Sequence, residues 1–240
     1  MAQDMMRLFR GIAVPANKSE DVKQRIREDG IRGDEGGQWQ ISLSDLRADL
    51  EGLFEKPGLS ASDTIRDDVL FSGVCACGDE YGASNYACKH NASEEANAPL
   101  VVEFDMPISD VFLDGRDFLC TAFQLWDRST RDGIDWQMEL LATIFGKRVL
   151  RYFQRAAASQ DQDYRIAMCR LAGQDIEVAK SHAQNCHVIE GRYSTMFASA
   201  FLARPPIPRS NIISVTTPSF QLEQPWLTLS MFLAGRPPHE

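Results

Sequence analysis

The sequence predicts an α+β fold. Segments with strand alternation stand near both ends of the chain, at 5–14 and 193–215, and two more lie between them at 68–77 and 99–106. Helical spacing marks 19–29, a possible helix at 42–54, a short stretch near 83–91 and a block over 134–185. A chain of 240 residues, 44% apolar and 25% charged, can bury a sizeable core as a single domain. Segments 33–66 and 127–187 then read as insertions or helical elaborations of that one domain.

In the first strand Leu8, Arg10 and Ile12 share one face, and Arg7, Phe9, Gly11 and Ala13 the other. An arginine among apolar residues in mid-strand calls for an anionic partner, because an unpaired buried charge is costly. Ser19 is placed to cap the helix 19–29, with Glu20 and Asp21 favourable in its first turn. Gly30 can end that helix, after which Ile31 returns to the core. Between 33 and 63 the chain is polar, with one possible helix at 42–54, read as an inserted segment, a lid or a surface loop.

The strand 68–77 carries Phe71-Ser72-Gly73 and leads through Gly78-Asp79-Glu80-Tyr81-Gly82 into a helix from about residue 83, which carries Tyr86. Cys75, Cys77, Cys88 and His90 have neither the usual zinc spacing nor a common direction, so buried reduced thiols are the preferred reading and no metal is assigned. In strand 99–106, Glu103 and Asp105 share the face opposite Val102, Phe104 and Met106 and are expected to face solvent. A long helix over 134–157 follows, with Arg148, Arg151 and Arg155 forming a basic ridge. The ridge suits a phosphate backbone, and equally suits a solvated helix face. A further helix spans 160–185, with Gly173 as its possible break.

The last strand pair contains Tyr193 to Ala203, a connection with Pro205, Pro206 and Pro208, and a restart at Ile212, Ile213 and Val215. A strand-like stretch from Trp226 to Leu233 closes the chain. The formal charge of −9 gives no global attraction to nucleic acid. Residues 1–10 carry Asp4, Arg7 and Arg10 and lack a signal-peptide core, and no apolar run reaches the length of a membrane span, so a cytoplasmic protein without membrane contact is expected.

Pro206-Ile207-Pro208 followed by Asn211-Ile212, Phe9-Arg10-Gly11 in the first strand, and Phe71-Ser72-Gly73 followed by Ala83-Ser84-Asn85-Tyr86-Ala87 together resemble the ADP-ribosyltransferase fold. The resemblance covers about half the chain. It implies a split mixed or antiparallel sheet flanked by helices, and transfer of ADP-ribose from NAD to a macromolecular acceptor. NAD is then a substrate, with no other cofactor.

In this family a strand glutamate is catalytic, and its position falls on Ala200. Ala200 is a natural loss of the acid, a replacement that silences a toxic enzyme, or an offset of one or two residues in the correspondence. The resemblance further gives Arg10 a catalytic place, expected to face residue 200 across the bound dinucleotide, and gives Arg10 and Gly11, with Ser72, Tyr81 and Tyr86, to the NAD site; the ridge Arg148, Arg151 and Arg155 is the candidate acceptor surface. It suggests a toxin or phage-defence effector with a possible antitoxin partner. The acceptor is nucleic acid by the ridge and protein by net charge, with nucleic acid slightly preferred. The alternatives are a non-catalytic nucleotide- or partner-binding module on the same fold, and an interaction protein in which Arg10 is salt-bridged to a structural carboxylate. Tyr86 could equally be a packing residue.

Overall fold

The computed structural model describes residues 4–32, 38–41, 71–91, 96–113, 119, 122–123, 134–185, 189–190, 196–197 and 200–218. The possible helix at 42–54 and the stretch from Trp226 to Leu233 lie outside them. The chain opens with β1 (Met5–Pro15) and α1 (Ser19–Asp29). The strands β2 (Gln38–Ile41) and β3 (Phe71–Cys77) precede α2 (Glu80–Asn91). After β4 (Asn97–Pro107) and β5 (Val111–Leu113) comes the helical block α3 (Ile134–Phe145), α4 (Leu150–Ala158), α5 (Gln162–Gln174) and α6 (Ile176–Gln184). Two short strands, β6 (Ile189–Glu190) and β7 (Met196–Phe197), pair with each other, and β8 (Ala200–Ala203) and β9 (Ile212–Thr216) complete the fold.

The main sheet runs β5-β8-β3-β1-β4-β9, with β2 also paired to β3, and every ladder in it is antiparallel. Its two halves are joined very unequally. β1 and β4 pair along their whole length, from Met5↔Pro107 to Pro15↔Asn97. β1 and β3 share one residue pair, Phe9↔Cys77. β1 then leaves β3, and β2 takes over the same edge of β3 from Val74 to Phe71.

Alternation sorts the side chains as the sequence suggests. Met6 and Leu8 of β1, Val74 and Ala76 of β3, Val102 and Phe104 of β4, and Phe201 and Ala203 of β8 enter the large core. The helical block supplies the other side of that core through Leu141, Ile144, Tyr152, Phe153, Leu171 and Val178. The opposite face carries a thinner cluster, in which Phe9, Cys77, Val101 and Ala200 meet Ala83 of α2.

Several boundaries depart from the sequence reading. Lys18 takes the N-cap position of α1 and Ser19 is its first residue, without a side-chain cap bond. Gly30 does end α1, at φ 79°, and Ile31 pairs in an isolated bridge with Ile207. The expected long helix over 134–157 is two helices. Gly146, at φ 78°, ends α3 and a short 3-10 turn at Lys147–Val149 separates it from α4. The helix over 160–185 breaks at Asp175 rather than at Gly173, because Asp175 caps α6 by accepting the Glu177 amide. Gly173 stays helical and lies 3.4 Å from the Leu113 carbonyl, measured from where its Cβ would stand.

Gly11 has the strictest local demand. A Cβ there would lie 2.0 Å from the Ala83 carbonyl oxygen and 2.9 Å from the Ala87 amide nitrogen. Backbone atoms of a packed helix cannot give way as a flexible side chain does, so only glycine lets α2 settle on β1. Gly11→Ala is expected to lower stability by about 3 kcal/mol in urea unfolding. Gly173→Ala, with room for a methyl group, should change it by less than about 1 kcal/mol.

Candidate functional site

The seam between β1 and β3 is the place where sequence-predicted site residues come together. Arg10 follows the joining residue Phe9, and it is 7% exposed. Its guanidinium Nη1 donates to the Cys75 carbonyl at 2.8 Å. Had the β1–β3 ladder continued, that carbonyl would face β1 backbone; where the strands diverge, the arginine side chain bridges the gap instead. The sequence called for an anionic partner, whereas this hydrogen bond uses a main-chain carbonyl, which also satisfies part of a buried guanidinium.

Position 200 is close by. Ala200 pairs with Cys77, which pairs with Phe9, so the three form a row across β1, β3 and β8. Two strand spacings separate Phe9 from Ala200, or roughly 10 Å. The two candidate catalytic positions do not, however, share a face. Ala200 belongs with Phe9 and Cys77 on the α2 side, while Arg10 alternates to the side of Leu8. An arginine and a residue-200 side chain facing each other across one ligand is therefore corrected to neighbours on opposite faces of one seam.

The other candidates divide between the faces. Gly11 lies against the backbone of α2, so its missing side chain serves helix packing, and that space is already filled. Tyr81 and Tyr86 are half-buried on α2, which packs on β1 and β4. Ser72 pairs with Gln40 of β2 in the backbone ladder, and its side chain lies outside the described residues.

The sequence reading missed Asp79. α2 begins at Glu80, ahead of the expected start near residue 83. Asp79 Oδ1 accepts the Gly82 amide at 2.8 Å and acts as the cap. An aspartate just before a helical stretch is the signal that could have found it. Burial pushes its carboxyl above the ordinary range, with the Gly82 and Tyr81 amides opposing that push.

The basic ridge is partly engaged within the fold. Arg148 lies in the 3-10 turn before α4, and its Nε donates to Asp175 Oδ2 at 2.5 Å. The same oxygen accepts the Tyr152 hydroxyl at 2.6 Å, and Asp175 is 2% exposed. Burial first, then this hydrogen bond, raise the Tyr152 phenol well above the ordinary tyrosine range. Arg151 lies 5.3 Å from the centre of the Tyr152 ring, and Arg155 is half-buried further along α4. Glu103 and Asp105, expected to face solvent, are about a quarter to a third exposed and clamp Arg7 at 2.5 and 2.6 Å. Among the described residues no group of acids, histidines and cysteines is arranged to hold a metal ion, and no helix is long and apolar enough to cross a membrane.

Comparison with protein-family models, with curated proteins and with solved structures gives no match.

Two substitutions test these assignments by urea unfolding. Asp175→Ala removes the acceptor of Arg148, Tyr152 and the α6 cap, and should cost about 2–3 kcal/mol; Arg148 is exposed enough to regain water, which limits the loss. Arg10→Met fills most of the same volume but takes the donor from the Cys75 carbonyl, and should cost about 2 kcal/mol.

Proposed function

We propose that this chain is an NAD-binding domain of mono-ADP-ribosyltransferase type, directed at a macromolecular acceptor and disarmed by the alanine at position 200. The observation that supports it is the row Phe9–Cys77–Ala200 across three neighbouring strands, with the buried Arg10 beside it at the seam of a divided sheet. The expected arginine, serine and acid strands are thereby adjacent, although they are far apart in sequence.

Within this reading the two faces have different tasks. Arg10 orders the seam, because its hydrogen bond fixes the Cys75 carbonyl of the strand that carries Ser72. The nicotinamide half of NAD lies on the α2 side, where Tyr81 and Tyr86 offer flat aromatic surfaces and residue 200 points. When the nicotinamide–ribose bond breaks, positive charge develops on the ribose. An acid at 200 would stabilise that charge and accept the acceptor's proton; the methyl group of alanine does neither. The corresponding biological role is a cytoplasmic toxin or defence effector, held in check by an antitoxin.

One observation favours a second reading, a non-catalytic binding module. Ala200 packs against the cluster of Cys77, Ala83 and Val101. A residue that completes an apolar cluster fits a natural alanine as well as an introduced one.

Calorimetric titration with NAD and a nicotinamide-release assay separate the readings. The chain as it stands should bind NAD, with little release. Ala200→Glu should raise release by about a hundredfold or more, the usual weight of one electrostatic stabiliser. Binding that persists with no release from Ala200→Glu supports the binding module. A folded sample that does not bind NAD defeats the transferase reading and any nucleotide-binding module, and leaves a module that binds a partner.

A further inference from the structure

We propose that Asp79 is a pH-sensitive latch on α2: with its carboxyl protonated the first turn of the helix is seated on the sheet, and ionisation loosens that turn. The inference is independent of any reading of the site as an NAD site.

The two oxygens of Asp79 have unlike surroundings. Oδ1 accepts the Gly82 amide at 2.8 Å. Oδ2 is buried and has no hydrogen-bond partner among the described residues. A neutral carboxyl tolerates such a place, because its second oxygen can carry the proton. A carboxylate there leaves charge on an oxygen removed from water, which is costly without a partner. Desolvation accordingly pushes the group above its ordinary 3.8.

Among the described residues, the titratable and charged groups on that face and on α2 include Cys75 and Cys77 of β3, Arg7 of β1, Glu103 and Asp105 of β4, and Glu80, Tyr81 and Cys88 of α2. The cation among them, Arg7, is already clamped by Glu103 and Asp105. The ionised group is relieved by reaching water, and the first turn of α2 must open for that. The same turn leads directly into Ala83, whose carbonyl closes over Gly11 and whose side chain meets Cys77, Phe9 and Ala200. Opening it uncovers the side of the seam on which residue 200 lies.

The sign follows from linkage. A carboxyl raised in the seated helix binds its proton more tightly there than in the opened turn. The stability gained from that proton is full below the ordinary value of 3.8 and is lost as pH rises through the seated value. Amide hydrogen exchange of residues 80–87, corrected for intrinsic rates, reads the opening directly. In the unmodified protein the opening equilibrium should rise with pH between the two values by up to about tenfold per pH unit, and then level off. Asp79→Asn keeps an oxygen for the Gly82 amide and never ionises, so its opening equilibrium should not change with pH. Equal pH dependence in the two proteins overturns the latch. A carbon-13 titration of the Asp79 carboxyl in the unmodified protein decides the matter even if the variant fails to fold. A midpoint above 3.8 is expected, and one at or below it overturns the proposal.

Discussion

The approach of α2 to β1 is the constraint on which the second face of the sheet depends. A helix normally keeps side-chain distance from a strand, but here the Ala83 carbonyl occupies the space where a Cβ of residue 11 would stand. That contact needs glycine on the strand and small residues on the helix, and Ala83 and Ala87 meet the second condition, both fully buried. Seating α2 so closely fixes what its first turn brings with it: Asp79 at the cap, Tyr81 beside it, and the cluster around Cys77 and Ala200.

The two faces differ in how much holds them. On one side the sheet meets α1 and the helices α3 to α6 in a core with Phe104, Phe123, Phe153 and Phe201 fully buried. Phe145, His182 and Phe201 form a run of ring contacts there, and His182 Nδ1–H donates to the Ile144 carbonyl, since a carbonyl can only accept. This ties the end of α3 and the last turn of α6 to β8. On the other side, among the described residues, Phe9, Cys77, Val101 and Ala200 meet Ala83 of the closely seated α2. Regions with few buried contacts open at lower cost than a core. Among the described residues the face on which residue 200 lies carries the smaller buried cluster, which opens at lower cost than the large core.

Local pattern made much of this legible. The strand alternation at Leu8 and Phe9, the Gly30 stop and the restart at Ile212 need only near neighbours, and the structure follows them. The helix breaks were less legible. Gly146 sits inside good helical spacing, and what stops the helix is its left-handed backbone, with the Ser181 side chain 2.5 Å from where a Cβ would be. The relation of residue 10 to residue 200 was the least legible. Parity along one strand can be read from sequence, but parity between strands depends on register, and a shift of one residue reverses it. Only the pairs Phe9↔Cys77 and Cys77↔Ala200 reveal that the arginine and the expected acid position point apart. The Cys75 carbonyl as a partner of Arg10 was hidden for a related reason, since the strands had to diverge before a side chain could fill the gap.

Arginines on a helix face read in sequence as a surface for a polyanion, but several arginines of this chain work inside it. Arg10, Arg27 and Arg165 donate to the carbonyls of Cys75, Val215 and Ser159. Arg7 and Arg148 are held by carboxylates. Arg148 and Arg27 join segments that no backbone ladder joins, whereas Arg7 reinforces the β1–β4 ladder already in place, tasks suited to a rigid group with several donors. Each such engagement subtracts from the positive charge that could meet phosphate, and it does so in a chain with a formal charge of −9. Arg148 makes the point within the ridge itself. Its contact with Asp175 ties the start of α4 to the cap of α6, so moving it onto a phosphate would uncover a buried carboxylate.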